Sequence, residues 1–301
     1  MKWTKRSLIY CPTSENDWRN NSALQPTPIL INDNIRVYAG FRDINGISRI
    51  GYVELDKSNP RNVLSVSESP VLDVGDDGMF DENGVVPTSI VKRGSDVFLY
   101  YAGYSLGKKV RFQVFTGLAI SKDNGDSFQR VKKIPVTDRV ENEELFRVIH
   151  SIIFVDGVWK VYYGAGNHFV EGKKKTLPVY DIRYMESADG INFPNRGIVS
   201  VPIPTGCHRV GRPYVFFEEH KFKLYYGFGS EKIPYQLAYL ESVDGIKWNQ
   251  KDINLPLSES GWDSQMMAYP SFMRVDNKGY LFYNGNNYGF EGFGFAELIE
   301  E

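Results

Sequence analysis

The feature that most constrains the fold is a phrase that recurs five times along the chain. An aromatic residue followed by small residues ends a short apolar run at Tyr38, Tyr101, Tyr163, Tyr226 and Tyr283, in steps of 63, 62, 63 and 57 residues. A further apolar run precedes and follows each phrase, and no helical stretch stands out. Repeats of several short strands at a fixed period are typical of β-propellers. We therefore predict an all-β protein, a five-bladed β-propeller with four-stranded antiparallel blades.

The two ends of the chain complement each other in this prediction. The chain finishes on the third strand of the fifth repeat, GFGFAELIEE, and the N-terminal segment MKWTKRSLIYCP has the pattern of the missing fourth strand. We expect the N-terminal strand to close the last blade, which would remove two exposed sheet edges. No linker interrupts the repeats, so we expect residues 1–301 to form a single domain.

Composition narrows the class of partner. The formal net charge is −2 over 301 residues, which gives no sign of nucleic acid or an anionic membrane as a partner. No run reaches the ~18 apolar residues of a membrane span, and the N-terminus lacks an apolar stretch long enough for a signal peptide. Cys11 and Cys207 suit buried thiols in a reducing compartment, although one disulfide also fits, so we expect a cytoplasmic protein. The four histidines lack metal-ligand spacing, and we predict no metal and no cofactor.

Three similar turns separate third and fourth strands in the middle repeats: SKDNGDSF, SADGINF and SVDGIKW. An Asp side chain can accept hydrogen bonds from turn amides, and Gly adopts positive φ. Because the same turn recurs in three blades whereas an active site occurs once, we interpret these aspartates as structural.

The residues that precede each first strand should face a central funnel. Carboxylates occur there in three blades, namely Asp81 or Glu82, Glu144 and Asp263. Carboxylates from different blades suit glycosidic chemistry, in which one donates a proton and another activates water or attacks directly. Side chains alternate along a strand, so at most one of Asp81 and Glu82 faces inward, and Asp81 is preferred. The alternative is that each carboxylate caps a turn or lies in a solvated loop.

Basic and aromatic residues near the same positions are candidates for binding the substrate. An arginine presents a planar fork to phosphate or carboxylate, which fits a sugar carrying such a group or phosphate as the attacking group. The alternatives are ion pairs between these arginines and the funnel carboxylates, and a hairpin ion pair for the Arg42–Asp43 segment. The run at 172–176, GKKKT, is predicted to be a solvated hairpin tip. The candidates are Arg42, Asp43, Arg147, His150, His168, His208, Arg209, Arg212, Trp262 and Gln265.

Several of these segments together resemble a known group of proteins. FDENGVVPTSIV, the MESADGINF and LESVDGIKW turns, GRPYV and, most specifically, GWDSQMMAYPSF…FYNGNNYGFEGFGFAEL are similar to five-bladed glycosidase-like proteins related to glycoside hydrolase families 43, 32 and 130. The resemblance covers essentially the whole chain. It implies a carbohydrate-active enzyme that acts on a glycosidic bond, of the kind often encoded among surface-polysaccharide genes.

The resemblance also implies three funnel carboxylates, one at the start of each of the first three blades. Blade one instead offers Gln25, which cannot act as base or nucleophile, and Gln265 stands where the related group has a glutamate. Family 130 includes phosphorylases, which bind phosphate with basic residues. The expectations are therefore a hydrolase or phosphorylase acting on an anionic or phosphate-linked sugar, with a glycosyltransferase or a non-catalytic glycan-binding propeller as alternatives.

Overall fold

The computed structural model describes residues 1–14, 17–194 and 196–300. Within these residues the regular elements are β-strands and one short 3₁₀ turn at Asn286–Gly289, which confirms the all-β prediction. The chain begins with β1 (Lys2–Tyr10). The later strands follow in five units: β2 (Asn21–Ile31), β3 (Asn34–Arg42), β4 (Ser48–Leu55) and β5 (Val63–Val66); β6 (Val85–Arg93), β7 (Asp96–Leu106), β8 (Phe112–Ser121) and β9 (Gln129–Arg130); β10 (Phe146–Val155), β11 (Val158–Val170), β12 (Leu177–Ser187) and β13 (Ile198–Val201); β14 (Arg209–Glu218), β15 (Lys221–Gly229), β16 (Gln236–Ser242) and β17 (Asn249–Lys251); and β18 (Ala268–Val275), β19 (Lys278–Asn284) and β20 (Phe293–Glu300).

Consecutive strands of each unit pair in antiparallel fashion. The N-terminal strand β1 pairs with β20, so the fifth sheet has the order β1-β20-β19-β18 and the prediction for the N-terminal strand is confirmed. Short parallel pairings, β8 with β10 and β12 with β14, join units two, three and four into one twelve-stranded sheet. Units one and five remain separate four-stranded sheets, and the described strands form no closed hydrogen-bonded sheet.

The apolar core lies between neighbouring units. Five buried clusters join unit one to two, two to three, three to four, four to five and five back to one. The first strands follow the same order, since β2 contacts β6, β6 contacts β10, β10 contacts β14, β14 contacts β18 and β18 contacts β2. Burial of apolar surface is the main favourable term in folding, so these clusters hold each unit against its two neighbours.

The aspartate-containing turns have the structural role that the sequence predicts. The amides of Ile246 and Lys247 donate to Asp244 Oδ1 at 2.8 Å, and these bonds lower the pKa of that carboxyl to about 2. The hydroxyl of Tyr162 donates to the carbonyl of Gly245 in the same turn at 2.9 Å. Gly245 has φ +75°, and a Cβ there would lie 2.6 Å from that hydroxyl, so the position requires glycine. The turn therefore ties unit four to unit three.

Other expectations concern thiols, membrane spans and metals. Cys11 and Cys207 form no disulfide with each other. Across the described ranges, no helix is both long and apolar enough to cross a bilayer. The same residues contain no cluster of three or more His, Cys, Asp or Glu side chains placed to hold a metal ion.

Candidate functional site

A pocket of about 130 Å³ lies among the N-terminal halves of the first strands. It is lined by residues of β2, β10, β14 and β18 and by parts of the second and third strands beside them. Apolar and aromatic groups form most of its wall, and no carboxylate occurs among the described residues that line it. Its polar lining consists of Gln25, Tyr104, His150, Tyr180, Arg209, Arg212, Tyr235 and Tyr269.

Backbone irregularities turn several of these side chains toward the pocket. Gln25, Arg212 and Tyr269 have φ values of 54°, 53° and 57°, a region that bulky non-glycine residues rarely occupy. Each of them precedes a proline, and the strand register shifts at each of the three positions. A β-bulge redirects the side chain at the irregular position, and strained residues of this kind cluster at functional sites. The bulges therefore mark this pocket as the candidate site.

Arg212 links its own strand to the other four first strands. Its Nη1 donates to the carbonyls of Thr88 at 2.6 Å and of His150 at 3.1 Å. Its Nη2 donates to Thr27 Oγ1 at 2.9 Å and to Ser271 Oγ at 3.3 Å. The residue is only 2% exposed, and burial lowers the pKa of its guanidinium to about 9, so it is still charged at neutral pH. All four partners are neutral, and none of the described carboxylates forms an ion pair with this buried charge.

Arg209 brings a second positive charge to the pocket. Its Nη2 donates to the hydroxyl of Tyr288, and its guanidinium lies over the rings of Tyr235 and Tyr288 at 4.9 and 5.0 Å. In the part of the chain that the structure describes, neither Arg209 nor Arg212 forms an ion pair, whereas Arg147 pairs with Glu143 at 2.8 Å. An unpaired buried charge is costly. The pair of arginines therefore favours an anion in this pocket.

Polar atoms without a hydrogen-bond partner concentrate at the same place. Among the described residues, such buried atoms include Gln25 Oε1, His150 Nδ1, Arg209 Nε, Arg212 Nε and the hydroxyl of Tyr235, all in residues that line the pocket. Buried polar groups in native proteins nearly always have partners, and the exceptions mark places where water or a ligand binds. The pocket thus offers donors from arginine and tyrosine and one amide acceptor to a polar ligand.

The predicted carboxylates lie outside this pocket and follow a repeat of their own. Asp81 Oδ2 accepts from the hydroxyl of Tyr101 at 3.0 Å, and Asp263 Oδ2 accepts from that of Tyr283 at 2.8 Å. In both cases the acid precedes the tyrosine by 20 residues. Asp81 also pairs with Arg130 at 2.8 Å, and Asp263 pairs with Lys5 at 2.7 Å. The recurrence and the occupied oxygens favour a structural role, and catalysis by either residue stays a prediction.

The same arrangement recurs in unit three, at a residue that the sequence analysis did not choose. Glu143 lies 20 residues before Tyr163 and accepts its hydroxyl hydrogen bond at 3.0 Å. Its side chain is fully buried and pairs with Arg147 at 2.8 Å and Arg183 at 2.7 Å. Arg147 is thereby held inside the protein and does not line the pocket. For Arg147, the structure therefore corresponds to the alternative prediction, in which the arginine forms an ion pair with a carboxylate of the protein.

Glu82 and Glu144, the other two proposed acids, are more exposed and accept hydrogen bonds from their own loops. Glu82 Oε2 accepts from the amide of Gly78 at 2.6 Å, and Glu144 Oε1 accepts from the amide of Asn142 at 2.8 Å. Glu82 lines a separate surface crevice that also contains Lys133. The structure therefore does not bring the four predicted carboxylates together in one pocket.

The remaining predicted binding residues divide between the pocket and its surroundings. His150, Arg209 and Arg212 line it, and His208 lies next to Arg209 with Nδ1 2.9 Å from the carbonyl of Pro178. Arg42 is the last residue of β3 and does not line the pocket.

Four predicted residues serve other contacts. Asp43 accepts hydrogen bonds from two backbone amides of its own hairpin and forms an ion pair with Arg49 at 2.9 Å. It therefore makes an ion pair within the hairpin, as the alternative prediction stated, although the partner is Arg49 and not Arg42. Trp262 stacks on Tyr283 with ring centroids 4.9 Å apart. His168 is exposed on β11, and Gln265 is exposed beside Asn286. None of these four side chains lines the pocket.

Comparison with known proteins places the chain among its relatives. It is 32% identical over 302 residues to the uncharacterized protein Rv1502 of Mycobacterium tuberculosis strain H37Rv, covering 99% of each chain. The chain belongs to the Rv1502 family. It is also 31% identical, over the same span, to the uncharacterized protein MT1551 of M. tuberculosis strain CDC 1551. No family model matches the sequence.

Solved structures similar to this Rv1502-family protein are glycoside hydrolases. One described as a glycoside hydrolase superposes with a TM-score of 0.76 at 17% identity, covering 99% of this chain and 92% of the other. A thermostable family-43 glycoside hydrolase gives 0.70 at 17% identity, with 93% and 91% covered. A third, from work on the GH130 family of mannoside phosphorylases and its hydrolases that target β-1,2 mannosidic linkages in Candida mannan, gives 0.73 at 13% identity, with 98% and 93% covered. The predicted resemblance to propeller glycosidases is confirmed at the level of fold.

Four tyrosines that build much of the pocket of this Rv1502-family protein were not predicted as site residues. They are Tyr104, Tyr180, Tyr235 and Tyr269. A usable signal was present, because the pocket residues Gln25, Arg212 and Tyr269 each precede a proline inside a first strand. Proline in a strand is found mainly at edges and bulges, so these dipeptides mark the irregular positions.

His150 should make this Rv1502-family protein sensitive to acid. Burial, with the nearby Arg212 charge, lowers the pKa of His150 well below 6.5, so the native protein keeps it neutral. Below about pH 6.5 the unfolded chain binds a proton that the native state does not, and stability falls as pH falls. Between about pH 7.5 and 5.5 the wild type should lose about 1.4 kcal/mol more than His150→Gln. Denaturant unfolding at each pH measures this difference.

The matched control is His220→Gln, which changes an exposed histidine in the β14–β15 turn. Its pH profile should follow the wild type. If His150→Gln also follows the wild type between those pH values, the native His150 takes up a proton like the unfolded chain, and the neutral assignment is wrong.

Proposed function

We propose that this protein is a single-domain, five-bladed β-propeller whose central pocket binds an anionic saccharide, a sugar that carries a phosphate or carboxylate group. The propeller interpretation is supported by the cyclic order of the five inter-unit clusters and of the five first strands. It is also supported by Arg212, whose hydrogen bonds reach the other four first strands. In this arrangement the pocket lies on the propeller axis.

The observation that carries the function is the pair of arginines without a counter-ion. Arg209 and Arg212 line one pocket, and no carboxylate belongs to its described lining. The guanidinium of Arg209 can bind phosphate or carboxylate through two parallel hydrogen bonds, which adds geometric specificity to charge. Both Nη groups of Arg212 already donate inside the protein, so Arg212 offers its charge and its Nε–H. The phosphate or carboxylate of a sugar would neutralise both arginines. The hydroxyl groups of the same sugar would accept hydrogen bonds from the other free donors of the pocket.

The size and the wall of the pocket favour a single sugar ring. A cavity of about 130 Å³ is close to the ~150 Å³ of an engineered cavity that holds benzene. Tyr104, Tyr180, Tyr235 and Tyr269 supply flat apolar faces with polar edges, which suit the alternation of C–H and hydroxyl groups on a sugar. We therefore expect one terminal residue of a saccharide, or one activated sugar, to enter.

Hydrolysis by two carboxylates is the activity that this geometry favours least. That chemistry needs two carboxyl groups on either side of one glycosidic bond, about 5–9.5 Å apart. The oxygens of Asp81 and Asp263 already accept hydrogen bonds from tyrosines and pair with Arg130 and Lys5. Transfer to or from phosphate is the second candidate, because Arg209 and Arg212 could hold the phosphate. Turnover of aryl glycosides with and without inorganic phosphate distinguishes the two activities from binding alone.

Arg209→Gln should weaken binding of the anionic saccharide about 10- to 150-fold. A hydrogen bond to a charged group contributes about 1.5–3 kcal/mol, and every 1.4 kcal/mol is tenfold in the dissociation constant. Isothermal titration with glucose 1-phosphate, glucuronate, N-acetylneuraminate and neutral methyl glucoside measures the effect. At least one anionic probe should bind the wild type more tightly than methyl glucoside does.

The control for this experiment is Arg61→Gln, which removes an arginine on an exposed turn after β4. It should bind each probe like the wild type. Equal affinity of the wild type for the neutral and the anionic probes would contradict the proposal. Glycoside turnover that Asp81→Asn or Asp263→Asn abolishes at unchanged stability would favour the two-carboxylate enzyme instead.

A further inference from the structure

Two hairpins near Arg209 carry a concentration of positive charge. The β7–β8 connection reads GKKVR at 107–111, and the β11–β12 connection reads EGKKKT at 171–176. The hairpins contact each other, since Nη1 of Arg111 donates to the carbonyl of Thr176 at 3.0 Å. This contact unites the lysines and arginine of both loops on one surface of a protein whose net charge is −2.

The second hairpin is held beside the strand that carries Arg209. The amide of Lys173 donates to both carboxylate oxygens of Glu231, at 3.0 and 3.1 Å. The strand that follows the hairpin, β12, pairs with β14 at Tyr180 and Arg209. The guanidinium of Arg111 lies 5.4 Å from the centre of the Phe112 ring, and Phe112 lines the same pocket as Arg209. Burial and the charges of Arg111 and Arg209 also lower the pKa of Lys175.

These cations have no carboxylate partners in the described parts of the chain. No ion pair there involves Arg111, Lys175 or Arg209, and the carboxylate of Glu231 accepts hydrogen bonds from the amide of Lys173. Like charges held close together repel one another, and an anion bound between them removes that cost. Lys173, Lys174 and Lys175 are exposed, as the interpretation of GKKKT as a solvated hairpin tip predicts, and their charges are therefore accessible to an anion.

We propose that Arg111, Lys175 and Arg209 form a second anion subsite at the mouth of the central pocket, so that the ligand is a glycosyl diphosphate. This inference rests on the proposed function, which assigns a sugar to the pocket. The pocket has room for about one ring. A second negative charge must therefore lie outside it, where a diphosphate attached to the sugar would extend from Arg209 onto the two hairpins.

The two subsites should respond differently to salt. Arg111 and Lys175 are exposed, whereas Arg212 is buried. Salt screens exposed charges over about 10 Å at 0.1 M and about 3 Å at 1 M, and it screens buried pairs much less. The part of the affinity that comes from the mouth should therefore decline with added salt, while the part that comes from the pocket persists.

Isothermal titration of the full chain with inorganic phosphate and inorganic pyrophosphate tests the proposal. At low salt, pyrophosphate should bind at least about tenfold more tightly than phosphate, a ratio that salt reduces. The double variant Arg111→Gln/Lys175→Gln should remove this preference and leave phosphate affinity within about twofold. The matched control, Lys92→Gln/Lys247→Gln, changes two exposed lysines outside both hairpins and should keep the wild-type ratio.

Two results would overturn the inference. They are a wild-type affinity for pyrophosphate no greater than for phosphate, and a preference that the hairpin double variant retains. If anionic saccharides bind through Arg209 while the pyrophosphate preference is absent, only the diphosphate inference fails. If pyrophosphate binds through the hairpins while Arg209→Gln changes no saccharide affinity, the proposed function fails instead.

Two further probes identify the group that is attached to the diphosphate on the side away from the sugar. Uridine diphosphate and geranyl diphosphate share the diphosphate and differ in what it carries. Tighter binding of the first than of pyrophosphate assigns a nucleotide-linked sugar, and tighter binding of the second assigns a lipid-linked one. If both bind more weakly than inorganic phosphate, a diphosphate ester does not fit the mouth and the proposal is wrong.

Discussion

Replacing Glu143 with glutamine should lower the free energy of unfolding by about 3–5 kcal/mol, the usual cost of removing one partner of a buried ion pair. Glu143 is fully buried and pairs with Arg147, which is 3% exposed, and with Arg183. Its Oε1 also accepts the hydroxyl hydrogen bond of Tyr163. Glutamine has a similar shape but offers one acceptor where two were used. It also turns an NH₂ group toward guanidinium donors, so the charge of Arg147 would lose its counter-ion inside the protein.

The neighbouring substitution Glu144→Gln is the matched control. Glu144 is exposed and accepts one hydrogen bond, from the amide of Asn142 in its own loop. Surface changes of this kind usually alter stability by less than about 0.5 kcal/mol. Denaturant unfolding of both variants at neutral pH gives the comparison. Similar small effects of the two changes would show that the Glu143 cluster does not stabilise unit three.

Replacing Arg212 with lysine should destabilise the protein by about 3 kcal/mol although the charge is kept. Arg212 makes four hydrogen bonds through two nitrogens, to one partner on each of the other first strands. A lysine ammonium is a single point and cannot span the same four acceptors. Loss of about two hydrogen bonds to a charged group, each contributing about 1.5–3 kcal/mol, gives a cost of about 3 kcal/mol at the lower end of that range.

Arg209→Lys makes the same chemical change in the same pocket and serves as the control. The hydrogen bond that Arg209 makes within the described chain is to the hydroxyl of Tyr288. We expect a cost below about 1 kcal/mol, since a lysine ammonium at this partly exposed site can still donate to one hydroxyl. Thermal or denaturant unfolding measures both variants. Equal costs would contradict the role of Arg212 as the link among five strands, and would weaken the propeller interpretation with it.

The strands and turns could be predicted from the sequence because local patterns determine them. Alternating and apolar runs around each repeated phrase correspond to strands in all five units, and β1 pairs where the N-terminal pattern predicted. The Asp-Gly turns depend on hydrogen bonds between residues two and three positions apart, such as those from Ile246 and Lys247 to Asp244. Interactions of such short range are encoded in a few neighbouring residues.

The candidate site could be predicted from the sequence only in part. Of the predicted site residues, His150, Arg209 and Arg212 line the pocket, and the predicted acids do not. In unit three the chain offers two adjacent glutamates, and the structure buries Glu143 while exposing Glu144. Both glutamates lie in the irregular segment before β10, where strand alternation does not fix the direction of a side chain. The choice between neighbours therefore depends on where distant cations lie, and the sequence pattern around them is the same for both.

The repeat, the all-β class and the turn chemistry were determined by the sequence alone, since they follow from short-range periodicity and side-chain geometry. The tertiary structure decided which charges are neutralised. It paired Glu143 with Arg147 and Arg183, which lies 40 residues away along the chain, and it left Arg209 and Arg212 beside neutral groups. Those outcomes depend on bulges that place side chains and on the order in which five strands meet. Contacts between residues far apart in the chain control both, so no local pattern contains them.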